Sequence, residues 1–364
     1  MKKSVFTLFL LALIAFGSDG QTIRRVTQAA GITGVNIYST IQAAHDAAVA
    51  GDIIYVEPIT SGTYGNLIAT KRLNIYGNGF FISNNTNTTT DSRTSNLSTV
   101  TLQAGTANSI ISGISFSGGL TLQDVNITVT RCSLNYLYFR YSGNSGTDPP
   151  TVADNALISN CYFNVGSQGD MIQGTSFGYT ISSITYYRFV SNAVIKNNIF
   201  SNNSGPGIVT SIQNSLITQN TVGGSWHAGN SGGTLGCNYT NNICQGGNST
   251  LLSTANGNSF SNNISLGSAF WPTGNGNQNS VSTTNFWVGS VPFFGGVDNT
   301  FQLSASSIGL TAGINGSQVG AFGGISPYSL ASHPPIPIIT NLTTSGVGNS
   351  STPLNVSVTV RGNN

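Results

Sequence analysis

Charge is what this chain has least of. Of its 364 residues, 12 are Lys or Arg and 10 are Asp or Glu, so charged side chains make up 6% of the total, against the roughly 25% usual for soluble domains. A net charge of +2 with no cluster of Lys and Arg leaves no surface for neutralising phosphates, which excludes nucleic acid as a partner. It also argues against a broad cationic groove for acidic polymers. The four Cys and three His lack the paired short spacings that zinc requires. Beyond the first 16 residues, no apolar run approaches the length of a membrane span. What remains is rich in Gly, Asn, Ser and Thr, so amides and hydroxyls must supply the polar surface.

The start of the chain reads as an export signal. Met1-Lys-Lys3 is basic, Val5 to Phe16 is apolar, and the small residues Gly17, Ser18 and Gly20 permit cleavage before Gln21. No Cys follows the apolar run, so a lipid anchor is not expected. Residues 1–20 are thus a leader, and the mature protein is expected to be secreted, outside the cell or at its surface.

Past the leader, one pattern recurs: Ala193-Val-Ile-Lys-Asn-Asn-Ile-Phe200, Leu216-Ile-Thr-Gln-Asn-Thr-Val222, Tyr239-Thr-Asn-Asn-Ile-Cys244 and Phe260-Ser-Asn-Asn-Ile264. Its anchors Asn198, Asn220, Asn242 and Asn263 lie about 22 residues apart, the period of a solenoid coil. Three residues before the anchor stand Ile195, Ile217, Tyr239 and Phe260; two after it stand Phe200, Val222 and Cys244. Between them runs the polar column Lys196, Thr218, Thr240 and Ser261, the alternation of strands with one buried face. Two coils upstream carry Cys132 and Cys161 at the anchor. There the longer spacing to the next anchor implies inserted loops. Asn suits the anchor because it tolerates a left-handed bend and its amide can bond the same amide one coil away, satisfying a buried polar column. Cys132 and Cys161, stacked about 5 Å apart at the strand spacing, read equally as a disulfide or as two free thiols. Cys237 and Cys244 read as apolar filler.

These Ile-x-Asn-Asn-x-Phe coils, and a segment Tyr38 to Val56 that reads as a capping helix (about 39–50) followed by a first strand, resemble the secreted right-handed parallel β-helix proteins of the pectate-lyase-like superfamily. Ser39 or Thr40 caps that helix, and Gly51 ends it. The resemblance implies an all-β solenoid over 21–330. Val319 to Tyr328 resembles the closing segment of such proteins. Over 331–364, His333 to Pro337 is a stiff linker, and the alternation of Leu354, Val356, Val358 and Val360 marks a half-buried strand. That strand either packs back to cover the solenoid's last open edge or adds to a partner's sheet, allowing self-assembly.

Catalysis meets a shortage of acids: Asp46, Asp52, Glu57, Asp91, Asp124, Asp148, Asp154, Asp170 and Asp298 are all the mature chain offers. The Asn-Thr-Asp, Asp-Asp, Gly-His-Gly and Arg-Ile-Lys set shared by pectin hydrolases of the resembled fold does not occur here. No paired carboxylates stand out as glycoside hydrolysis requires. Lyases of that fold use calcium held by clustered Asp, beside an Arg or Lys that abstracts a proton. If this chain is such an enzyme, Asp148, Asp154, Asp170, Arg140 and Arg188 are its catalytic group, and Asp124 with Asp154 would hold calcium; otherwise no cofactor is expected. The same stretch concentrates aromatics: Tyr138, Tyr141, Tyr186 and Tyr187 are the candidate sugar-binding residues, since rings take sugar C–H faces while polar groups bond hydroxyls. Alternate residues of Tyr136 to Tyr141 must point into the core. Trp226-His227 reads as a surface turn. The leading expectation is a non-catalytic surface or matrix protein that binds polysaccharide or another extracellular component. The alternative is a polysaccharide lyase or hydrolase.

Overall fold

In the computed structural model of the protein, the described residues are 21–85, 91–142, 151–164, 171–174, 177–181, 184–201, 208–227, 233–248, 256–289, 296–349 and 351–362. The chain winds as a parallel β-helix with three sheet faces of eleven, nine and six strands, every pairing within them parallel. One coil runs through Leu157–Ser159, Tyr162–Phe163 and Ile172–Gln173; the next pairs Val194–Lys196, Ile199–Phe200 and Val209–Thr210 onto it in register. In the eleven-stranded sheet, the middle residues Ile54, Ile75, Ile111, Val129, Ile158, Ile195, Ile217, Tyr239 and Phe260 all point inward and are buried. They make one continuous core with Phe163, Phe200, Val222 and Cys244. Trp226, expected at a surface turn, is wholly buried in that core, 6.0 Å from Tyr239 and 5.5 Å from Trp271.

The N-terminal end is closed by the helix Ile41–Ala47, whose Thr40 hydroxyl accepts from the Ala43 N–H at 3.2 Å. Its Ile41 and Ala44 are buried against the first coils.

Two adjacent residues divide the labour that the sequence assigned to the anchor alone. At the bends after six successive strands of the eleven-stranded sheet, the left-handed residue is the one before the anchor: Arg131, Asn160, Asn197, Gln219, Asn241 and Asn262, with φ between 53° and 56°. The anchor itself builds the ladder. Asn198 donates to Asn220 Oδ1, Asn220 to Asn242 Oδ1 and Asn242 to Asn263 Oδ1, each at 3.0 Å. Each Nδ2 also donates to a carbonyl of the preceding coil, as Asn220 does to Ile195. Asn277, absent from the sequence pattern, extends the ladder by accepting from Asn263. Cys161 and Cys132 continue it at the other end as free, buried thiols: the Cys161 N–H donates to Asn198 Oδ1, and its Sγ lies 3.7 Å from the Val129 carbonyl that an Asn would reach.

The segment read as a closing cap instead runs backward along the solenoid as a strap. Ala312 accepts from Asn262, Ile314 donates to Asn241, the Ala321 and Gly323 carbonyls accept from Asn197, Ser329 donates to Asn160, and the His333 carbonyl accepts from Arg131. The left-handed residues thus aim their side chains outward at the strap's main chain. Beneath it the nine-stranded sheet has a second apolar layer: Tyr162 and Ile199 pack with Phe80, Phe301, Ala321 and Tyr328, and Ile243 and Ile264 with Phe286, Trp287, Leu303 and Val319. His333, expected in a linker, is buried, with Nδ1 2.7 Å from the Asn78 carbonyl.

Among the described residues, the last strand pairs with no strand of the solenoid. Val356–Arg361 pairs antiparallel with Ile338–Thr344, aligning Val360 with Ile339 and Val358 with Leu342, and these four side chains are exposed.

Candidate functional site

Alternation on the strand Leu137–Phe139 decides which aromatics face out. Leu137 and Phe139 are fully buried, while Tyr136, Tyr138 and Arg140 are half-exposed on the outer face of the six-stranded sheet. Tyr136 and Tyr138 stack with ring centroids 4.6 Å apart, and the Arg140 guanidinium lies 4.3 Å over the Tyr138 ring. Because alternate residues of an extended segment share one face, Tyr138 is the middle of the three, and its ring planes are taken by Tyr136 and Arg140. The row therefore presents phenol hydroxyls and guanidinium N–H groups. Arg140 also donates to Gln173 Oε1 at 3.1 Å. Tyr136 fits because residue 119 is Gly: a Cβ there would fall 1.8 Å from the Tyr136 ring. Along the solenoid axis, Tyr138 is in register with Thr121, and Thr121 with Thr101. With Gln173 beside Tyr138, they form a line of hydroxyls and amides at the strand spacing of about 4.8 Å. The sequence reading named Tyr138 but not Tyr136; the strict Tyr-Leu-Tyr-Phe-Arg alternation carried that signal.

The candidate acids have other duties. Asp124 Oδ2 accepts the Gly105 and Ala107 N–H groups at 2.8 and 2.9 Å, and Oδ1 that of Val125. Asp154 Oδ1 accepts from the Ser191 N–H and hydroxyl at 2.8 and 3.1 Å. Both sit at the bend that leads into the eleven-stranded sheet and both are buried. Asp124 turns toward the preceding coil and Asp154 toward the following one, so the two carboxylates point apart along the axis. Among the described residues, no group of three or more His, Cys, Asp or Glu could hold a metal.

Elsewhere Asp52 pairs with Arg24 at 2.9 Å, Glu57 with Arg25, and Asp91 with Arg93; Asp46 accepts from Gln42 at 2.8 Å. Asp298 is fully buried under the strap, where it accepts from Asn85, the Ala331 N–H and the Tyr328 hydroxyl. Burial pushes its carboxyl up, with these hydrogen bonds opposing. Asp148 and Asp170 lie outside the described residues. The side chains of Tyr141, Tyr186, Tyr187 and Arg188 do too, though their backbones form antiparallel hairpin strands, Tyr141 opposite Val152 and Tyr186 opposite Tyr179. No helix among the described residues is long and apolar enough to cross a membrane.

Comparison of the chain with protein-family models, with curated proteins and with solved structures finds no match to any of them. The parallel β-helix and the polar row on its six-stranded face therefore carry the functional argument.

Proposed function

We propose that this chain is a secreted, non-catalytic surface or matrix protein of the pectate-lyase-like type, which binds an extended polysaccharide along the outer face of its six-stranded sheet. One observation carries the reading: every carboxylate among the described residues is already bonded to main chain, to an amide or to a basic side chain, while Thr101, Thr121, Tyr138 and Gln173 line up along the axis with Tyr136 and Arg140 beside them. Glycan hydroxyls both donate and accept, as do the row's phenols, hydroxyls and amide, so a chain lying along the row exchanges hydrogen bonds with successive coils.

The test is affinity electrophoresis of the purified protein in gels of neutral and uronate polysaccharides, run beside an assay for new reducing ends with and without calcium. Retardation that Tyr138→Ala abolishes, without new reducing ends, is the expected result. Reducing ends whose release is lost in Arg188→Ala or Asp148→Asn would instead establish the enzyme reading.

A further inference from the structure

The C-terminal hairpin leaves the body of the molecule. Ile338 is buried and anchors its base, where Ile336 and Pro337 share a cavity with Tyr55 and Asn78 of the first coils. From residue 341 onward, every described residue of the two strands and of the turn between them is exposed. The sheet has two strands and pairs with no other among the described residues. A hairpin of this kind is marginal in water until a further layer covers its apolar side.

The register sorts its side chains onto two unlike faces, because directly opposed residues of an antiparallel pair share a face, as do alternate residues along a strand. With a register shift between Ile339 and Asn341, one face receives Ile339 and Val360, Leu342 and Val358, and Thr344 and Val356; alternation adds Leu354. The other receives Asn341 with Thr359, Thr343 with Ser357, and Ile338 with Arg361. Arg361 is the one charged residue of 338–361, so the first face carries no charge. Its six aliphatic residues, Ile339, Leu342, Leu354, Val356, Val358 and Val360, are between 43% and 57% exposed. That is roughly 500 Å² per copy, so two such faces packed together hide about 1,000 Å², the area at which a specific interface begins.

An occupant of this face must be flat, aliphatic and uncharged. The same face on another copy of the chain has each property, and a net charge of +2 sets little repulsion against the approach of two copies. We infer that the hairpin is a dimerisation element whose apolar face packs on the same face of a second copy. The two hairpins form a two-layer sandwich with their sheets about 10 Å apart, related by the twofold axis that a self-complementary patch requires. Leu342 and Val358, the middle pair, lie at its centre, while Thr343 and Ser357 stay in water. This surface is separate from the polar row on the six-stranded face and does not depend on that row's role.

The experiment is sedimentation equilibrium of the purified protein from about 1 to about 200 μM, where an interface of this small area is expected to give a reversible monomer–dimer equilibrium with a midpoint on the order of 10 μM. Val358→Asp buries a charge at the centre and should weaken the dimer about tenfold or more, with the melting temperature of the solenoid unchanged. Ser357→Asp, on the polar face, should leave the dimer intact. A second readout locates the contact: iodoacetamide labelling of Val358→Cys and Leu342→Cys should slow as concentration rises through the midpoint, while Ser357→Cys and Thr343→Cys label at one rate throughout. A monomer across the whole range, a dimer indifferent to Val358→Asp, or a dimer in which Cys at 358 and 342 stays open to labelling, as edge-to-edge pairing would leave it, would each overturn the assignment. So would a monomer that floats with phosphatidylcholine vesicles, which would give the face to lipid.

Discussion

Replacing Asn220 by Ala removes one rung from the middle of the ladder, and the structure sets the size of the effect. The side chain is fully buried. Its Nδ2 donates to the Ile195 carbonyl at 2.9 Å and to Asn242 Oδ1 at 3.0 Å; its Oδ1 accepts both the main-chain N–H and the side-chain amide of Asn198 at 3.0 Å. The Asn198 side chain keeps a second acceptor in the Ile158 carbonyl, but its main-chain N–H is left with none. One orphaned buried N–H costs about 1–3 kcal/mol, and the two lost amide donations add about 1 kcal/mol each, for a total of about 3–5 kcal/mol. That is a large share of the 5–15 kcal/mol by which proteins are typically stable. Cys161→Ala is the matched control at the same column. It gives up weak thiol contacts and should cost about 1–2 kcal/mol, mostly for the small cavity. The assay is guanidinium unfolding followed by far-ultraviolet circular dichroism, with hydrogen exchange to locate which coils open. Early loss of amide protection should centre on the coils holding Asn198 and Asn220. A change below about 1 kcal/mol, or one no larger than that of Cys161→Ala, would refute the claim that the ladder stabilises the stack.

Three further outcomes are expected. Because burial raises the Asp298 carboxyl above its ordinary 3.8, the folded state holds that proton more tightly than the unfolded chain. The stability it contributes is therefore fully present below the unfolded value and is lost as pH rises through the raised one. Melting curves from pH 7 down to pH 4 should show the native protein gaining on Asp298→Asn, and a constant difference would contradict this. The thiols are shielded, with Cys237 pushed up to about 11 and Cys161 and Cys244 also raised, in each case chiefly by burial. Iodoacetamide at pH 8 should modify none of the four cysteines in the folded protein and all of them in guanidinium; rapid labelling without denaturant would show the core to be open. Gly119→Ala should drive the Tyr136 ring off its seat, changing the near-ultraviolet dichroism and weakening polysaccharide binding several-fold at a stability cost of about 1 kcal/mol or less, since a half-exposed ring can swing outward. Unchanged binding beside a changed spectrum would remove Tyr136 from the row.

The solenoid was legible because its physics is local and repeated. An apolar residue three before each Asn, another two after it and a polar residue between encode strand, bend and strand within one coil, and the period follows. The division of roles within Asn197-Asn198, Asn241-Asn242 and Asn262-Asn263 was not legible. Both residues are Asn, and only the folded structure distinguishes the one whose left-handed backbone turns its side chain to the strap from the one whose amide builds the ladder. The strap itself was hidden because its contacts join residues far apart in the chain, from 50 positions for Asn262 with Ala312 to 202 for Arg131 with His333. A trace was present in Ile199, Ile243 and Ile264, apolar residues on the face that alternation assigns to water. Asp124 and Asp154 were named as calcium ligands only for the enzyme alternative, because carboxylates are conspicuous in so uncharged a chain. Their use as acceptors for main-chain N–H groups at a bend has no signature in spacing. Tyr138 was found from composition, whereas the stacking that occupies its ring planes depends on Gly119 in the preceding coil.

A stack of coils touching only their neighbours would ordinarily grow and fray one unit at a time. The backward strap changes how this molecule can be completed. Early coils can form as soon as they are made, but their outer apolar stripe, Tyr162 and Ile199 above all, stays uncovered until residues 301–328 arrive from far downstream. Closure is therefore a late event that reports on the integrity of nearly the whole described chain. A copy that stops short, or that is cut within the strap, displays a greasy seam along one side, which marks it for aggregation or removal, whereas an intact copy conceals it.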